Sequence, residues 1–223
     1  MEMGAQTHTD TPGRTLGPRT LEEAEVRVLG CLLEKRRTTP DAYPLSLNAL
    51  RLACNQSTNR DPVVDYEEST VRDAVQRLQR RGLARLASGA GSRAAKFRHL
   101  VDDALGLGAG EEALMCVLML RGTQTPGELK LRAERMHAFA DLGAVHETLA
   151  GLAARGLVQS LPRRPGQKEE RYAQLLGGEP SNDDAAPGGL AAAPAPGVGG
   201  EELQERVARL EREVAELRAH AGI

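Results

Sequence analysis

The residues best suited to chemistry in this sequence are basic and amide side chains between Asp65 and His99. Arg72, Gln76 and Arg80 recur every four residues, so in a helix they project from one face at one-turn spacing. Arg and Gln are among the side chains that form paired hydrogen bonds with base edges. We therefore expect this face to enter the major groove of duplex DNA.

These side chains are positioned by a predicted helix and the hairpin that follows it. Apolar residues at i, i+3, i+4 and i+7 give the helix a core face: Val71, Ala74, Val75 and Leu78. Asp65 with Glu68 predicts an N-terminal cap pair, and Gly82 predicts the C-terminal end. Two short strands are predicted at Leu83–Leu86 and Arg93–His99, joined by a turn rich in Gly and Ser. A helix followed by a basic hairpin is the second half of a winged helix-turn-helix.

The hairpin and a polar loop add further candidate contacts. Arg93 and Lys96 are expected to touch phosphates, which positions a domain without reading sequence. Alternate strand residues face opposite sides, so Arg93, Lys96 and Arg98 cannot all face one duplex. In the polar loop 55–62, Arg60 is expected to contact a nucleic acid or a partner. The predicted DNA-binding residues are Arg60, Arg72, Gln76, Arg80, Arg93 and Lys96.

An ordinary solvated face is the alternative for this helix. Asp73 stands next to Arg72 in the sequence, and mixed charges are typical of such a face. The fold alone does not choose between the two interpretations.

The charge distribution assigns any polyanion contact to the first half of the chain. The 223 residues carry a net charge of −2. Residues 17–99 contain 15 Lys and Arg against 10 Asp and Glu, a net +5, whereas residues 177–223 contain 4 against 9, a net −5. A basic block in an acidic chain is the place where a nucleic acid would bind.

Two more helices precede this unit. Thr20 and Glu23 predict a capping box for the first, and the basic run Lys35–Arg37 suits the negative end of its dipole. Ser46 is expected to cap the second helix. The order helix, helix, helix, hairpin predicts one winged-helix domain over residues 19–99.

The pattern then repeats 74 residues further along the chain. Three apolar residues reproduce the core spacing of the third helix: Val145, Leu149 and Leu152. Arg155–Leu157 likewise reproduces Arg81–Leu83. We therefore predict a second winged-helix domain over residues 100–176. Its third helix carries small or acidic residues, which favours packing or docking against a protein over phosphate contact.

Three segments lie outside the two predicted domains. Residues 1–18 lack periodicity and are expected to form a disordered tail, and residues 177–200, rich in Gly, Pro and Ala, a flexible linker. Residues 201–221 place Val at a and Leu at d, a choice that favours a parallel two-stranded coiled coil. The predicted dimerisation residues are Leu203, Val207, Leu210, Val214 and Leu217. The alternative is a lone helix, which at about 20 residues is marginal in water.

Several segments of the first half share a pattern with a known family. They are Leu16–Pro18, Val28–Lys35, Thr38–Leu50, Ala53–Gln56, Asn59–Val63 and the turn Gly91–Arg93 ahead of Lys96. Together they resemble the YceH-like family of largely uncharacterised bacterial proteins, densely over residues 16–99 and more loosely over 100–176. The resemblance implies tandem winged helices and implies no reaction and no ligand.

A catalytic or metal-binding constellation is not visible in the sequence. The five histidines lack ligand spacing such as HxxxH, and there is neither a Walker loop nor a GxGxxG motif. Cys54 could be a nucleophile with His99 and Asp61, but its apolar helix position is typical of a buried cysteine. We therefore expect no enzymatic activity, no cofactor and no metal.

The remaining features bear on location. The longest apolar run, Ala113–Leu120, is far shorter than the roughly 20 residues that a membrane span needs. The polar N-terminus predicts no signal peptide, and three cysteines without a CxxC pair suit a reducing cytoplasm.

The sequence thus predicts a cytoplasmic, mainly α protein with small β-hairpins (α+β). It would consist of two tandem winged helix-turn-helix domains and a C-terminal coiled-coil helix that forms a homodimer. The predicted function is DNA binding, as a transcriptional regulator or accessory factor. A protein-interaction scaffold that docks partners through its winged helices, without DNA, is the alternative.

Overall fold

The computed structural model describes residues 20–87, 94–163 and 169–179. Within these ranges the chain forms seven α-helices and five short strands, so the predicted mixed α+β class is confirmed. The helices are α1 Glu23–Thr38, α2 Leu47–Cys54, α3 Glu68–Arg80, α4 Val101–Leu105, α5 Ala109–Arg121, α6 Pro126–Ala133 and α7 Leu142–Ala154. The strands are β1 Leu45–Ser46, β2 Ala84–Leu86, β3 Lys96–His99, β4 Val158–Leu161 and β5 Arg171–Gln174. None of the helices in these ranges has both the length and the apolar character needed to cross a membrane.

Helix α1 starts differently from the capping box predicted at Thr20–Glu23. Its N-cap is Glu22, whose N–H donates to the Glu25 carboxylate at 2.8 Å. The predicted box is wrong, because the observed box lies two residues further along, at Glu22 and Glu25. The Leu21 N–H, just before the cap, donates to the Leu176 carbonyl at 2.7 Å and so ties the start of α1 to the second half of the chain.

Helix α3 also starts away from its predicted cap pair. Its N-cap is Glu67, whereas the Asp65 carboxylate accepts a hydrogen bond from the Asn55 amide at 3.2 Å. Asp65 therefore holds the loop before α3 instead of capping the helix.

The ends of α3 and α7 confirm the predicted repeat. Gly82 follows α3 with a φ of +73°, and Gly156 follows α7 with a φ of +66°, a left-handed conformation that suits glycine. The next residues, Leu83 and Leu157, each donate a backbone hydrogen bond to the carbonyl five residues earlier, at 2.9 and 3.0 Å. Both ends of α7 lie 74 residues after those of α3.

Each half carries a small antiparallel sheet, built mainly from the two strands that follow α3 or α7. In the first half the strand order is β1-β3-β2, and in the second half β4 pairs with β5. A bridge between Gln124 and Tyr172 stands in the second half where β1 stands in the first. The Ser46 hydroxyl accepts from the Ala49 N–H at 3.2 Å, which confirms Ser46 as the cap of α2.

One hydrophobic core runs through both halves because α1 packs against α2, α3 and α5. Residues Glu25–Leu33 of α1 are buried on every face. Gly30 allows the close crossing with α5, since a Cβ at this position would lie 2.9 Å from Leu120 Cδ2 and 3.1 Å from Met119 Cβ. At the same crossing the Cys116 thiol donates to the Gly30 carbonyl at 3.4 Å.

After β3 and the short α4, the chain forms a second set of three helices and two strands, α5, α6, α7, β4 and β5. The predicted boundary between residues 99 and 100 stays a prediction. Independent folding of each half stays a prediction, because the two halves share their core. The predicted tail 1–18, most of the linker 177–200 and the predicted coiled coil 201–221 lie outside the described residues.

Candidate nucleic-acid interface

Helix α3 separates its side chains into a buried and an exposed face. The buried residues, each with no exposed surface, are Val71, Ala74, Val75 and Leu78. Arg72, Gln76 and Arg80 are exposed on the other side, where the helical spacing predicts them. The core face therefore fixes the direction in which these three side chains project.

The cations of α3 differ in how far they are already neutralised. Arg72 pairs with Glu68 one turn earlier, with both side chains 49% exposed. Arg77 turns toward α1 and pairs with Glu22 at 2.8 Å. Arg80 is exposed and has no ion pair within the described residues. An exposed i,i+4 pair is worth only about 0.3–0.5 kcal/mol. Arg80, and Arg72 after exchanging Glu68 for an anion, can therefore meet a phosphate or a base edge.

The strand register places three cations on the outer face of the β2–β3 hairpin. Arg85 lies directly opposite Arg98, and Lys96 shares the face of Arg98 because alternate residues of a strand point the same way. Phe97 and His99, on the other face, are buried. Neither arginine has an ion pair in the described ranges. Like charges directly opposite each other destabilise a sheet, so this outer face carries positive charge at a cost in stability.

Strand pairing brings Arg85, which is not among the predicted DNA-binding residues, beside Arg98. The small buried residue Ala84 before it was the available signal, since it marks Arg85 as outward-facing. Arg93 lies outside the described residues, so its predicted phosphate contact stays a prediction.

The prediction that Arg60 contacts DNA is wrong, because Arg60 is buried in the protein. It is 6% exposed, and its guanidinium donates to both oxygens of the Glu34 carboxylate at 3.0 and 2.6 Å. Further hydrogen bonds go to the Ala53 carbonyl at 3.0 Å, the Gln56 amide oxygen at 2.9 Å and the Asn59 carbonyl at 2.8 Å. These partners satisfy the guanidinium inside the fold, so it clamps the loop to α1.

Both members of this pair are held in their charged forms. Burial opposes ionisation of Glu34, but the hydrogen bonds from Arg60, together with the positive charges of Arg60 and Lys35, hold the pKa of Glu34 below its usual value. Burial also opposes the charge of Arg60, and the bond to Glu34 nevertheless raises its pKa. The pair is therefore a buried salt bridge at physiological pH.

The loop that contains Arg60 is held at both ends. The Asn55 amide donates to the Tyr66 carbonyl and its oxygen accepts from the Tyr66 N–H, both at 2.9 Å. Asn59 adopts a φ of +59° and accepts a hydrogen bond from Arg121 of α5. These contacts use the loop's polar side chains within the protein.

A second charged cluster joins the two halves near the start of α4. Ligand atoms of His99, Asp102 and Glu112 lie within 4.8 Å of one another, a spacing that could hold a metal ion. Guanidinium groups supply the positive charge there: Arg36 lies 2.8 Å from Asp102 and 3.6 Å from Glu112, and Arg37 lies 2.7 Å from Glu112. We assign the cluster to an ion-pair network between α1, α4 and α5.

His99 is the buried titratable group of this network. Burial, and then the nearby Arg36 guanidinium, lower the pKa of His99 to about 4. Its Nε2 lies 3.2 Å from Arg36 Nη1, and its backbone N–H donates to the Tyr43 hydroxyl at 2.8 Å. His99 is therefore neutral at physiological pH and acts in packing.

The contacts in the described residues do not bring Cys54, His99 and Asp61 together as a catalytic set. Cys54 is buried next to the thiol of Cys31, whereas His99 contacts Arg36. Asp61 is exposed and holds α5 through its backbone N–H. A buried thiol whose pKa is raised by its hydrogen bond to Cys31 and by burial is a poor nucleophile.

Helix α7, the counterpart of α3 in the second half, carries no lysine or arginine. The exposed residues of α7 include His146, Glu147, Ala150, Ala153 and Ala154. Two large apolar side chains are also exposed nearby in the sequence, Leu131 at 76% and Leu142 at 46%. Small, acidic and apolar side chains suit contact with protein better than contact with phosphate.

These features define a mixed α+β protein with an internal repeat, whose first half presents a basic helix and a basic hairpin. The chain belongs to the family described as proteins of unknown function DUF480, whose model matches residues 21–167.

Curated relatives match the chain over most of its length. A UPF0502 protein of Geotalea uraniireducens is 50% identical over 204 residues, which cover 89% of this chain and 90% of the relative. A UPF0502 protein of Dechloromonas aromatica is 49% identical over 199 residues, covering 87% and 91%. A UPF0502 protein of Geotalea daltonii is 55% identical over 163 residues, covering 72% and 74%.

Proposed function

We propose that the protein binds duplex DNA through α3 and the β2–β3 hairpin, as a transcriptional regulator or accessory factor. In this proposal each half of the chain has winged-helix architecture. The observation that carries it is the exposed face of α3, where Arg72, Gln76 and Arg80 stand at one-turn spacing opposite a fully buried face.

The two elements would have different tasks on the duplex. Helix α3 would enter the major groove, where Gln76 and an arginine can form paired hydrogen bonds with base edges. The hairpin would place Lys96, Arg98 and Arg85 against phosphates, which adds affinity without sequence information. Because these contacts are ionic, the affinity should fall steeply as salt is added.

The proposal includes a homodimer in the cytoplasm. Residues 201–221 would pair as a parallel coiled coil, since Val at a and Leu at d favour two strands. A dimer would present two copies of α3 to DNA. Catalysis has no part in this proposal.

Fluorescence anisotropy with labelled random duplexes at low salt tests the DNA interface. We expect the variant Arg72→Glu/Arg80→Glu to lose binding, because it reverses charge on the exposed face of α3 and leaves the buried face unchanged. Arg163→Glu, which reverses one charge at an exposed arginine of the second half, is the control for charge reversal away from α3. Wild-type protein that stays dimeric and fails to bind any duplex at low salt would overturn the proposal.

A protein-docking scaffold is the second candidate, favoured by the second half. Leu131 is 76% exposed on α6, and the exposed face of α7 is small or acidic. Capture experiments from lysate, with and without nuclease, separate the two: a partner retained after nuclease treatment and lost in Leu131→Asp supports docking. A partner lost with nuclease supports DNA binding.

A further inference from the structure

A cavity of about 70 Å³ lies between α1, the loop 55–62, α5 and α6. Its wall includes the side chains Glu34, Asn59, Cys116, Arg121, Arg132 and Arg135. Neither α3 nor the β2–β3 hairpin contributes a lining residue, so this site is separate from the proposed DNA interface. We call it the arginine cavity.

The size of the arginine cavity restricts what it can hold. One water needs roughly 10–15 Å³ of such volume, so the cavity has room for about five waters or one group of about five heavy atoms. A single phosphate group has this size.

The charge of the lining residues is positive. Both oxygens of Glu34 are already bound by buried Arg60, which neutralises the negative charge of Glu34. Arg121 donates to the neutral amide oxygen of Asn59, and Arg135 is exposed with no ion pair in the described residues.

The guanidinium of Arg132, the third arginine of the cavity, is only partly neutralised. Arg132 lies 3.6 Å from Glu128, but the same carboxylate also pairs with Arg171 at 2.9 Å. One negative charge is thus shared by two arginines. The cavity is therefore lined by more positive than negative charge.

The ionisation of Arg121 agrees with this excess. Burial lowers its pKa, and the repulsion of Arg132 and Arg60 adds to the effect, while Asp61 and Glu34 do not offset it. A dianion in the cavity would relieve this repulsion.

We propose that the arginine cavity binds a small phosphate dianion, such as inorganic phosphate or the phosphate of a small phosphomonoester. Arg121, Arg132 and Arg135 supply the donors, and guanidinium groups match phosphate geometry in pairs. This inference goes beyond the proposed DNA binding and does not rest on it.

Isothermal titration calorimetry of inorganic phosphate into the full-length protein tests the site. The titration is done at about pH 8, where inorganic phosphate and phosphate monoesters are both mainly dianions, with ionic strength held constant by NaCl. We expect saturable binding that weakens at least about tenfold in Arg135→Gln and in Arg121→Gln, because each removes a charged donor. Arg163→Gln, an exposed arginine remote in sequence from the lining, should bind like wild type.

Thermal unfolding separates a lost site from a lost fold. Arg135 has no ion pair in the described residues, so Arg135→Gln should unfold at the wild-type temperature without phosphate and lose the phosphate-dependent rise. Absence of saturable binding, or equal weakening in Arg163→Gln, would overturn the proposal. Displacement of phosphate by duplex DNA at equal ionic strength would also overturn it, because the cavity would then serve a nucleic-acid backbone.

Discussion

At the scale of residues, burial decides which charged side chains can serve a ligand. Arg60 and Arg80 are both arginines of the basic first half, yet Arg60 is 6% exposed and bound by Glu34, whereas Arg80 is exposed and has no ion pair in the described residues. Their spacing in the sequence does not distinguish them. Arg60 therefore stabilises the fold, whereas Arg80 is available for the proposed DNA interface.

Replacing Arg60 should be strongly destabilising. Arg60→Met leaves the Glu34 carboxylate without its partner, and breaking a buried pair costs roughly 3–5 kcal/mol. Urea unfolding followed by circular dichroism measures the loss. Arg80→Met, the exposed control, should change the free energy of unfolding by less than about 0.5 kcal/mol. Equal stability of the two variants would contradict the structural role of Arg60.

His99 should make stability depend on pH. Its pKa is about 4 in the fold against a usual value near 6.5, so below pH 6.5 the unfolded chain binds a proton that the folded chain does not. The free energy of unfolding should therefore fall by about 2 kcal/mol between pH 7 and pH 5. This pH range lies above the pKa values of Asp102 and Glu34, which are lowered in the fold. Protonation of these two carboxylates reduces the stability further in more acidic solution.

Chemical denaturation of two variants at several pH values tests this prediction. His99→Gln should flatten the dependence between pH 7 and pH 5. The control His146→Gln, at an exposed position of α7, should keep the wild-type slope. An unchanged slope in His99→Gln would assign the effect to another group.

At the scale of elements, the crossing of α1 and α5 joins the two halves. It depends on a glycine, because a Cβ at Gly30 would meet Leu120 at 2.9 Å and Met119 at 3.1 Å. Gly151 of α7 is the opposite case, with open space around its missing Cβ. These two helical glycines therefore predict opposite results for the same substitution.

Gly30→Ala should destabilise the protein by about 1–3 kcal/mol, because an added methyl group overpacks the crossing. Gly151→Ala should stabilise it by roughly 0.5–1 kcal/mol, since alanine is the better residue in an exposed helix. Thermal and urea unfolding of both variants measure the difference. A stabilising Gly30→Ala would show that the helices can separate without loss.

The β2–β3 hairpin should show a trade between stability and binding. Arg85→Thr removes one of two like charges that lie directly opposite each other and adds a residue favoured in strands. We expect a gain of roughly 0.2–1 kcal/mol in the free energy of unfolding and, under the proposed function, weaker DNA binding with a shallower salt dependence. Weaker stability with unchanged DNA affinity would contradict both parts.

At the scale of the whole molecule, the C-terminal segment is expected to set the oligomeric state. In the full-length chain, Leu210→Asn places an amide at a d position of the predicted coiled coil, which should shift the protein from dimer to monomer. Arg212→Asn introduces the same residue at an outward position and should leave the dimer intact. Sedimentation velocity at several concentrations measures both, and a dimeric Leu210→Asn would place the interface elsewhere.

Much of the local structure follows from the sequence. The apolar spacing in α3 and its copy in α7, the glycine after each helix and the Ser46 cap are short-range features that depend on neighbouring residues. The helix starts are different, since the Leu21 N–H is held by Leu176 and the Asp65 carboxylate by Asn55. Contacts between distant residues override local capping preference.

The candidate sites likewise depend partly on local sequence and partly on tertiary contacts. Helical periodicity determines that Arg72, Gln76 and Arg80 share the exposed face of α3. Contacts between residues that are distant in the chain decide three other features: the burial of Arg60, the pairing of Arg85 with Arg98 and the arginine cavity. The sequence by itself determined the repeat, the amphipathic helices and the basic first half, because periodicity and charge are local properties. Tertiary structure alone decided which charges are buried and which face a ligand, because burial and pairing depend on which distant elements pack together.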